Sequence, residues 1–329
     1  MDKRQLASRI WESANTMRSK IEAQEYKDYI LGFIFYKFLS DQVEQLMYDN
    51  DVEPDELAEV LVEDDPETVD FVQHRLGYFI SYNNLHSTWR KAGSDFDVAD
   101  VRDALAAFDR LIQPSRSHVF KDIFRTLETG LSKLGTNATS QSKAIKDLLD
   151  LINDIPTDGS QGYDALGFIY EYLISKFAAN AGKKAGEFYT PHEVSEVMSR
   201  IVAAHTQGRD TLTIYDPTSG SGSLLLNIGQ AVARHMGDSD AIKYYAQELK
   251  DNTFNLTRMN LVMRGVKADN IVARNGDSLE HDWPIFDESD PENTYDPLFV
   301  DAVVSNPPYS QTWKSDGKAT DPRFTKYGL

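Results

Sequence analysis

From Thr211 onward, the sequence alternates between short apolar runs and longer helical patterns, and this alternation strongly limits the folds open to the chain. The apolar runs, each of strand length, are TLTIYDP, AIKYYAQEL, NIVARNGD and LFVDAVVSNPP. Helical patterns follow the first and second of these runs, as SLLLNIGQAVARHM and DNTFNLTRMNLVMRG. Strands that alternate with helices pair in parallel through right-handed crossovers. We therefore predict an α/β domain in the second half of the chain.

The first 150 residues have a different pattern, which predicts helices. Apolar side chains recur at helical spacing at Leu6, Ile10, Met17 and Ile21, and then at Ile30, Phe33, Ile34 and Phe38. No run in this part of the sequence alternates convincingly as a strand would. The segment NDIPTDGSQG, residues 153–162, has the composition of a linker. We predict a helical domain over residues 1–152 and an α/β domain over residues 163–329.

Composition excludes several kinds of chemistry. The 329-residue chain has no cysteine, so disulfides, thiolate metal sites and cysteine nucleophiles are excluded. His74, His86 and His192 have no metal-ligand spacing with other residues, and no metal site is predicted. No apolar run has the length of a membrane span, and the N-terminus lacks a signal-peptide core. We expect a soluble, cytoplasmic protein.

The net charge of −18 is concentrated in two acidic segments. Residues 49–70 carry 11 Asp and Glu, residues 277–301 carry nine, and neither segment contains Lys or Arg. The remainder of the chain is close to neutral. Acidic runs of this kind are usually solvated faces. The charge therefore gives no support to a nucleic-acid partner and does not exclude one.

In an open parallel sheet, ligands bind outside the carboxyl ends of the strands, so the residues at those ends are candidates for a site. The first strand ends in DPTSGSGS, from Asp216 to Ser223, termed the glycine loop. Gly220 and Gly222 let the backbone approach a ligand, and the N-terminus of the following helix favours an anionic group. The run matches neither the dinucleotide-binding fingerprint nor a P-loop, and a glycine-rich turn without a ligand is the alternative.

Acidic residues close the next two strands. Glu248, at the end of the second, is placed to accept hydrogen bonds from a ribose diol, and Asp277, after the third, could accept from an adenine amino group. The alternative for each acid is a strand-end cap or turn. Together with the glycine loop, these acids outline a nucleoside with a charged tail. S-adenosylmethionine fits that outline, and its amino group would suit Asp216.

The fourth strand ends in Asn306-Pro307-Pro308-Tyr309. Proline donates no backbone hydrogen bond, so this segment offers acceptors and an aromatic face. The Asn306 side-chain oxygen and the Pro307 carbonyl could both accept from one sp² amino group, which would draw that group toward tetrahedral geometry and free its lone pair. Tyr309 would stack on the base, which must then be out of its helix. Positioning and hydrogen bonding would supply most of the rate.

These motifs resemble those of a known family. GEFYTP, DPTSGSGSLL, QELK, NGDSL and NPPY occur in the order found in the γ-class adenine-N6 DNA methyltransferases. The opening stretch IWESANTMRSKIEAQEYKDYILGFIFYKFLSDQ resembles the helical start of the modification (M) subunit of type I restriction-modification systems. The resemblance implies a Rossmann-like S-adenosylmethionine-dependent methyltransferase sheet preceded by an all-α domain. It also implies methyl transfer to the N6 amino group of adenine in DNA.

The resemblance implies roles for individual residues and partners. The residues implied in cofactor binding are Glu187, Phe188, Tyr189, Thr190, Asp216, Thr218, Ser219, Gly220, Gly222, Ser223, Glu248 and Asp277. The residues implied in catalysis are Asn306, Pro307, Pro308 and Tyr309. The implied partners are double-stranded DNA with a flipped adenine, a specificity subunit, a second M subunit and restriction subunits.

Other functions stay open beside this one. Cytosine-C5 methylation is excluded because it needs a cysteine nucleophile, whereas cytosine-N4 enzymes usually carry Ser-Pro-Pro where this chain has Asn-Pro-Pro. A protein glutamine amide also has an sp² amino group whose lone pair must be freed, so its methylation is an alternative reaction. The helical opening and GEFYTP argue against this alternative. A catalytically silent assembly module is the alternative outside enzymes. Members of the family continue with three further strands and a C-terminal helical region, so we expect a chain truncated at its C-terminus.

Overall fold

The structure is a computed structural model that describes residues 23–155, 192–279 and 299–308, and individually residues 5, 7, 8, 11, 12, 172, 173, 175, 176 and 190. Its contacts divide the chain into two compact units, Met1–Gly182 and Lys183–Leu329. Most of the predicted linker at residues 153–162 lies outside the described residues. Among the residues described, no helix has both the length and the apolar character needed to cross a bilayer.

The first unit is built around one long helix, α1 (Ala23–Tyr48). Buried side chains lie on every side of this helix, including Ile30, Phe33, Phe35 and Tyr36, each at most 1% exposed. A helix that is apolar around its whole circumference is stable only when other elements surround it. α1 accordingly lies at the centre of the unit, and the predicted helical character of this part of the chain is confirmed.

Shorter helices complete the unit, and several of them pack against α1. They are α2 (Leu57–Val60), α3 (Pro66–Leu76), α4 (His86–Lys91), α5 (Val98–Arg110), α6 (Ser117–Phe120), α7 (Arg125–Gly130) and α8 (Ala138–Ile152). Single 3₁₀ turns lie at Tyr82–Asn84, Gly93–Asp95, Pro114–Arg116 and Leu131–Leu134. Aromatic rings fill the space between helices, and Tyr36 stacks on Trp89 with ring centroids 4.8 Å apart. In the described part of this unit, extended pairing is limited to one antiparallel bridge between Tyr78 and Ile112.

The acidic segment at residues 49–70 is folded and contributes helices to the first unit. It contains α2 and the start of α3, and Leu57 and Leu61 anchor it to the core, each 1% exposed. Asp65 caps α3, because its carboxylate accepts hydrogen bonds from two backbone N–H groups of the first turn at 3.1 and 3.4 Å. Most of the other carboxylates are exposed, as predicted for a solvated face.

The second unit contains a four-stranded sheet. Its strands are β1 (Leu212–Asp216), β2 (Ile242–Glu248), β3 (Ile271–Asn275) and β4 (Ala302–Val303), in the order β3-β2-β1-β4. All the pairings are parallel, so the predicted α/β architecture is confirmed. The chain moves outward from β1 to β2 and β3, and then returns to the other side of β1 for β4. β1 and β4 therefore flank a topological switch point, the position at which open α/β sheets bind ligands.

The helices described in this unit connect and cover the strands. They are α9 (His192–His205), α10 (Ser223–Met236) and α11 (Asp251–Met263). α10 forms the crossover from β1 to β2, and α11 forms the crossover from β2 to β3. α9 packs against α10, where Asn227 Nδ2 donates a hydrogen bond to Ser195 Oγ at 2.8 Å. Short 3₁₀ turns at Ser239–Ala241 and Ala268–Asn270 precede β2 and β3.

β4 is shorter than the sequence pattern predicts. The run LFVDAVVSNPP predicts a strand that includes its first residues, whereas in the part described, from residue 299 onward, the strand comprises only Ala302 and Val303. The reason lies at Asp301, whose Oδ2 accepts a hydrogen bond from the Thr213 N–H at 2.8 Å. In an extended ladder, a backbone carbonyl of β4 would accept from that N–H group. Because a side chain takes its place, the regular ladder with β1 begins at Ala302, although the Asp301 N–H still donates to the Thr213 carbonyl oxygen at 3.1 Å.

Candidate active site

The glycine loop, which follows β1, is a tight turn that needs its glycines. Gly220 and Gly222 have φ angles of 57° and 75°, in the left-handed region that side chains disfavour. A Cβ at Gly222 would also lie 3.3 Å from Thr257 Cγ2. The Ser219 N–H donates to the Gln247 carbonyl oxygen at 2.9 Å, and the Gly222 N–H donates to the Ser219 carbonyl oxygen at 2.7 Å. The loop is therefore tied both to β2 and to itself.

α11 supports the glycine loop with polar side chains that the sequence analysis missed. Thr257 Oγ1 donates to the Gly220 carbonyl oxygen at 2.7 Å, and Asn260 Nδ2 donates to the Ser221 carbonyl oxygen at 2.9 Å. Thr257 and Asn260 are both 0% exposed. The sequence signal that could have found them is a set of polar residues at helical spacing, since Thr253, Thr257 and Asn260 share one face of the helix. Buried polar side chains on such a face need hydrogen-bond partners, which a neighbouring loop can supply.

Asp216, the last residue of β1, is a buried acid. Its side chain is 1% exposed, and its Oδ1 accepts a hydrogen bond from the Thr218 N–H at 2.9 Å. Burial raises the pKa of Asp216 to about 7; the hydrogen bonds from Thr218 oppose this rise, and the nearby Glu248 carboxylate adds to it. Among the described residues, no cation forms an ion pair with Asp216. A bound cation would therefore stabilise the ionised carboxylate.

Glu248, the last residue of β2, bridges the sheet to the glycine loop. Its Oε2 accepts from the Gly220 N–H at 3.1 Å, and its Oε1 accepts from the Lys250 N–H at 3.0 Å. Burial raises the pKa of this carboxyl, and the backbone hydrogen bonds partly offset that rise. The capping role considered from the sequence is thus realised. Because each carboxylate oxygen has two lone pairs, Glu248 keeps acceptor capacity for ligand hydroxyl groups.

Asp277 follows β3 and takes part in a turn. Its Oδ1 accepts a hydrogen bond from the Leu279 N–H at 2.9 Å, which is the turn considered as the alternative to a ligand contact. The neighbouring Ser278 Oγ donates to the Pro217 carbonyl oxygen at 2.5 Å. The segment after β3 therefore lies against the glycine loop. The three strand-end acids occupy the same edge of the sheet.

β4 leads the Asn-Pro-Pro segment out beside the glycine loop. Val304 is 4% exposed, and its N–H donates to the Tyr215 carbonyl oxygen of β1 at 2.9 Å. The next residue, Ser305, places its Oγ 2.7 Å from Thr218 Oγ1. Asn306 follows and is half-buried, and the two prolines after it are exposed. Ser305 is a third residue that the sequence analysis missed, and the one local signal for it is its position directly before Asn306.

The remaining predicted residues are distributed as follows. Ser223 is the first residue of α10, and its Oγ lies 2.9 Å from Ser221 Oγ. Thr190 is half-buried and precedes α9 by two positions. Four predicted residues lie outside the described residues, namely Glu187, Phe188, Tyr189 and Tyr309. The roles of these four stay predictions.

The described residues at the switch point fit a nucleoside cofactor that carries an amino-acid tail. A cationic α-amino group would be a positively charged partner for the buried carboxylate of Asp216, which has no ion-pair partner among the described residues. Ribose hydroxyls would donate to the remaining acceptor sites of Glu248. The left-handed glycines keep the backbone free of side chains where the ligand would approach. Among the residues that the structure describes, no group of three His, Asp or Glu could hold a metal ion.

The family to which the chain belongs agrees with a glycine loop that lies beside an Asn-Pro-Pro segment. The chain belongs to the N-6 DNA Methylase family, which matches residues 161–329. Residues 6–152 match the HsdM N-terminal domain. The family predicted from the sequence is thus confirmed, and it covers both the helical and the α/β parts of the chain.

Relatives of known class resemble the chain over nearly its whole length. The type I restriction enzyme MpnII methylase subunit of Mycoplasma pneumoniae is 33% identical over 97% of the chain, and the MjaIX methylase subunit of Methanocaldococcus jannaschii is 23% identical over 96%. The type I restriction-modification system methyltransferase subunit from Streptococcus thermophilus covers the whole chain at 31% identity, with a TM-score of 0.80. The chain spans 61%, 53% and 68% of these three proteins, respectively.

Proposed function

We propose that the chain acts as the modification subunit of a type I restriction-modification complex and methylates the N6 amino group of adenine in DNA. The observation that carries this proposal is the meeting of the glycine loop and the Asn-Pro-Pro segment at the switch point, where Thr218 Oγ1 and Ser305 Oγ lie 2.7 Å apart. A methyl donor and an amino acceptor must be held side by side for transfer. Membership of the N-6 DNA Methylase family supports the same reaction.

The proposed cofactor is S-adenosylmethionine, which would supply the methyl group when bound. Asp216 would hold its amino group, since a cation is what this buried carboxylate lacks among the described residues. Glu248 would accept from the ribose hydroxyls, and the second oxygen of Asp277 would accept from the adenine amino group. Phe188 and Tyr189 would line the methionine end.

Asn306 and Pro307 would bind the target amino group. The side-chain oxygen of Asn306 and the carbonyl oxygen of Pro307 accept hydrogen bonds and are never protonated near neutral pH, so both stay acceptors throughout the reaction. Two acceptors on one sp² amino group would draw it toward tetrahedral geometry and free its lone pair. Tyr309 would stack on the base, which has to leave the duplex to reach the site.

The other subunits of the complex would supply sequence recognition and cleavage. We propose a specificity subunit, a second M subunit and restriction subunits as partners, with the assembly acting on double-stranded DNA in the cytoplasm. The acidic face at residues 49–70 repels phosphate, so DNA would not approach the first unit through that face. A partner that reads the sequence accounts for a strongly acidic subunit acting on DNA.

The test is methyl transfer by an Asn306→Ala variant. With the chain in complex with its specificity subunit and DNA, we expect labelled-methyl transfer to fall on the order of 100-fold or more. Calorimetry should give an unchanged cofactor affinity, because Asn306 binds the other substrate. Asn270→Ala makes the same chemical change in the 3₁₀ turn before β3 and should retain wild-type transfer. Wild-type transfer by Asn306→Ala, or no cofactor binding by the wild-type protein, would contradict the proposal.

A further inference from the structure

We infer that Thr218 and Ser305 form a hydroxyl bridge that positions Asn306 relative to the glycine loop. The distance of 2.7 Å between their oxygens is normal for an O–H···O hydrogen bond. The two residues are 87 positions apart, and they meet because β4 lies beside β1. The inference rests on the proposed function and adds Ser305 to it as a positioning residue.

The bridge lies just before the two residues that have no backbone donor to hold the segment to the sheet. Val304 still donates its N–H to the carbonyl oxygen of Tyr215 at 2.9 Å. Pro307 and Pro308 have no N–H group, so neither can extend the ladder. A side-chain hydrogen bond at Ser305, one residue before Asn306, therefore restrains the segment next to the end of the backbone hydrogen bonds between β4 and β1.

The bridge also continues to the acid that would hold the cofactor. Thr218 Oγ1 lies 3.4 Å from Asp216 Oδ1, and the Thr218 N–H donates to the same oxygen at 2.9 Å. An ionised carboxylate can only accept, so Thr218 then donates to Asp216 and Ser305 donates to Thr218. A cation bound at Asp216 would keep the carboxylate ionised and so fix this order of donors.

A double-mutant cycle in the complex tests the bridge. Ser305→Ala should lower kcat for methyl transfer about three- to tenfold while the cofactor Kd stays unchanged, and Ser305→Thr, which keeps the hydroxyl, should restore kcat. Thr218→Val should also lower kcat, and adding Ser305→Ala to it should cause no further loss. A wild-type kcat for Ser305→Ala, a Ser305→Thr variant as slow as the alanine variant, or losses that multiply in the double variant would each overturn the bridge.

Hydrogen exchange in the cofactor-free protein provides a second test that does not need methyl transfer. Amides in peptides covering residues 300–306 should exchange several-fold faster in Ser305→Ala and in Thr218→Val, and by the same factor in both. Ser199→Ala removes a hydroxyl that donates to the Ser195 carbonyl oxygen at 2.7 Å within α9, and should leave these peptides unchanged. If the wild-type protein transfers no methyl group, the proposed function fails, yet the exchange rates still decide the bridge. Unchanged exchange in both variants would overturn it.

Discussion

Replacing Asp216 with Asn isolates the charge of the buried acid at the end of β1. Asn has nearly the same volume and keeps an oxygen that can accept from the Thr218 N–H, now at 2.9 Å, so the charge is almost all that changes. Because burial raises the pKa of Asp216 to about 7, its ionisation in the folded state opposes folding. We expect the stability of the Asn variant to depend less on pH than that of the wild-type protein.

The size and direction of this effect follow from the pKa shift. The pKa of Asp216 rises from 3.8 to about 7, or by about three pKa units of about 1.4 kcal/mol each, so the whole effect is at most about 4 kcal/mol. A raised folded-state pKa means that the contribution to stability is fully present below about pH 4 and is lost as the pH rises to about 7. Relative to wild type, Asp216→Asn should therefore gain about 2 to 3 kcal/mol between pH 5 and pH 8.

The assay must report on the second unit separately from the first. Hydrogen exchange at the amides of β1 and β2, followed across urea concentrations at pH 5 and pH 8, gives the free energy of opening of the sheet itself. Asp210→Asn removes an exposed carboxylate from the same unit and should follow the wild-type pH dependence. Identical pH dependence in wild type and Asp216→Asn would refute the reasoning.

Cofactor binding should also depend on the protonation of the Asp216 carboxyl. At pH 6, a carboxyl with a pKa of about 7 is mostly protonated, and an α-amino group, which titrates near pH 8, is mostly charged. Binding of S-adenosylmethionine should therefore release close to one proton, measured by calorimetry in buffers of different ionisation enthalpy. Asp216→Asn should bind more weakly and release none. Equal proton release by both proteins would show that Asp216 does not meet the amino group.

Two further predictions concern packing and strand pairing. Gly229→Ala would place a Cβ 2.0 Å from the Tyr244 hydroxyl oxygen and 2.7 Å from its ring. Thermal unfolding should therefore show a loss of about 1 to 3 kcal/mol in the free energy of unfolding. Adding Tyr244→Phe should recover part of that loss, and a wild-type melting temperature for Gly229→Ala would contradict the close packing. Asp301→Ala should remove the ion pair with Arg209 and the hydrogen bonds from Thr213, at 2.8 and 2.9 Å. We expect a loss of about 1 to 2 kcal/mol and faster exchange at β4 amides, and unchanged exchange there would show that the carboxylate does not hold the strand.

The strand-end residues are predictable from the sequence because local patterns determine them. Each predicted strand is an apolar run that ends at turn residues, and the acids at these ends are Asp216, Glu248 and Asp277. In a parallel sheet, all such ends lie at the carboxyl edge, whatever the order of the strands. Gly220 and Gly222 likewise mark a glycine-rich turn by their residue type alone, and their φ angles of 57° and 75° lie in the left-handed region. These features require no knowledge of which strands are neighbours.

The contacts between loops depend on strand order and helix packing, which no short stretch of sequence specifies. Ser305 meets Thr218 because β4 pairs with β1 rather than with β3. Thr257 reaches the glycine loop because of the way α11 packs on the sheet. The regular ladder of β4 starts only at Ala302 because the Asp301 carboxylate accepts from the Thr213 N–H group, where a backbone carbonyl would otherwise accept. Each is a tertiary effect that overrides or supplements the local pattern.

The proposal of adenine-N6 methylation is tested most directly by identifying the methylated atom. Duplex DNA would be incubated with the chain, its specificity subunit and labelled S-adenosylmethionine, digested to nucleosides and analysed by mass spectrometry. The account predicts that the label appears as N6-methyladenine and that Asn306→Ala removes it. Label in N4-methylcytosine, or in a protein glutamine with none in DNA, would contradict it.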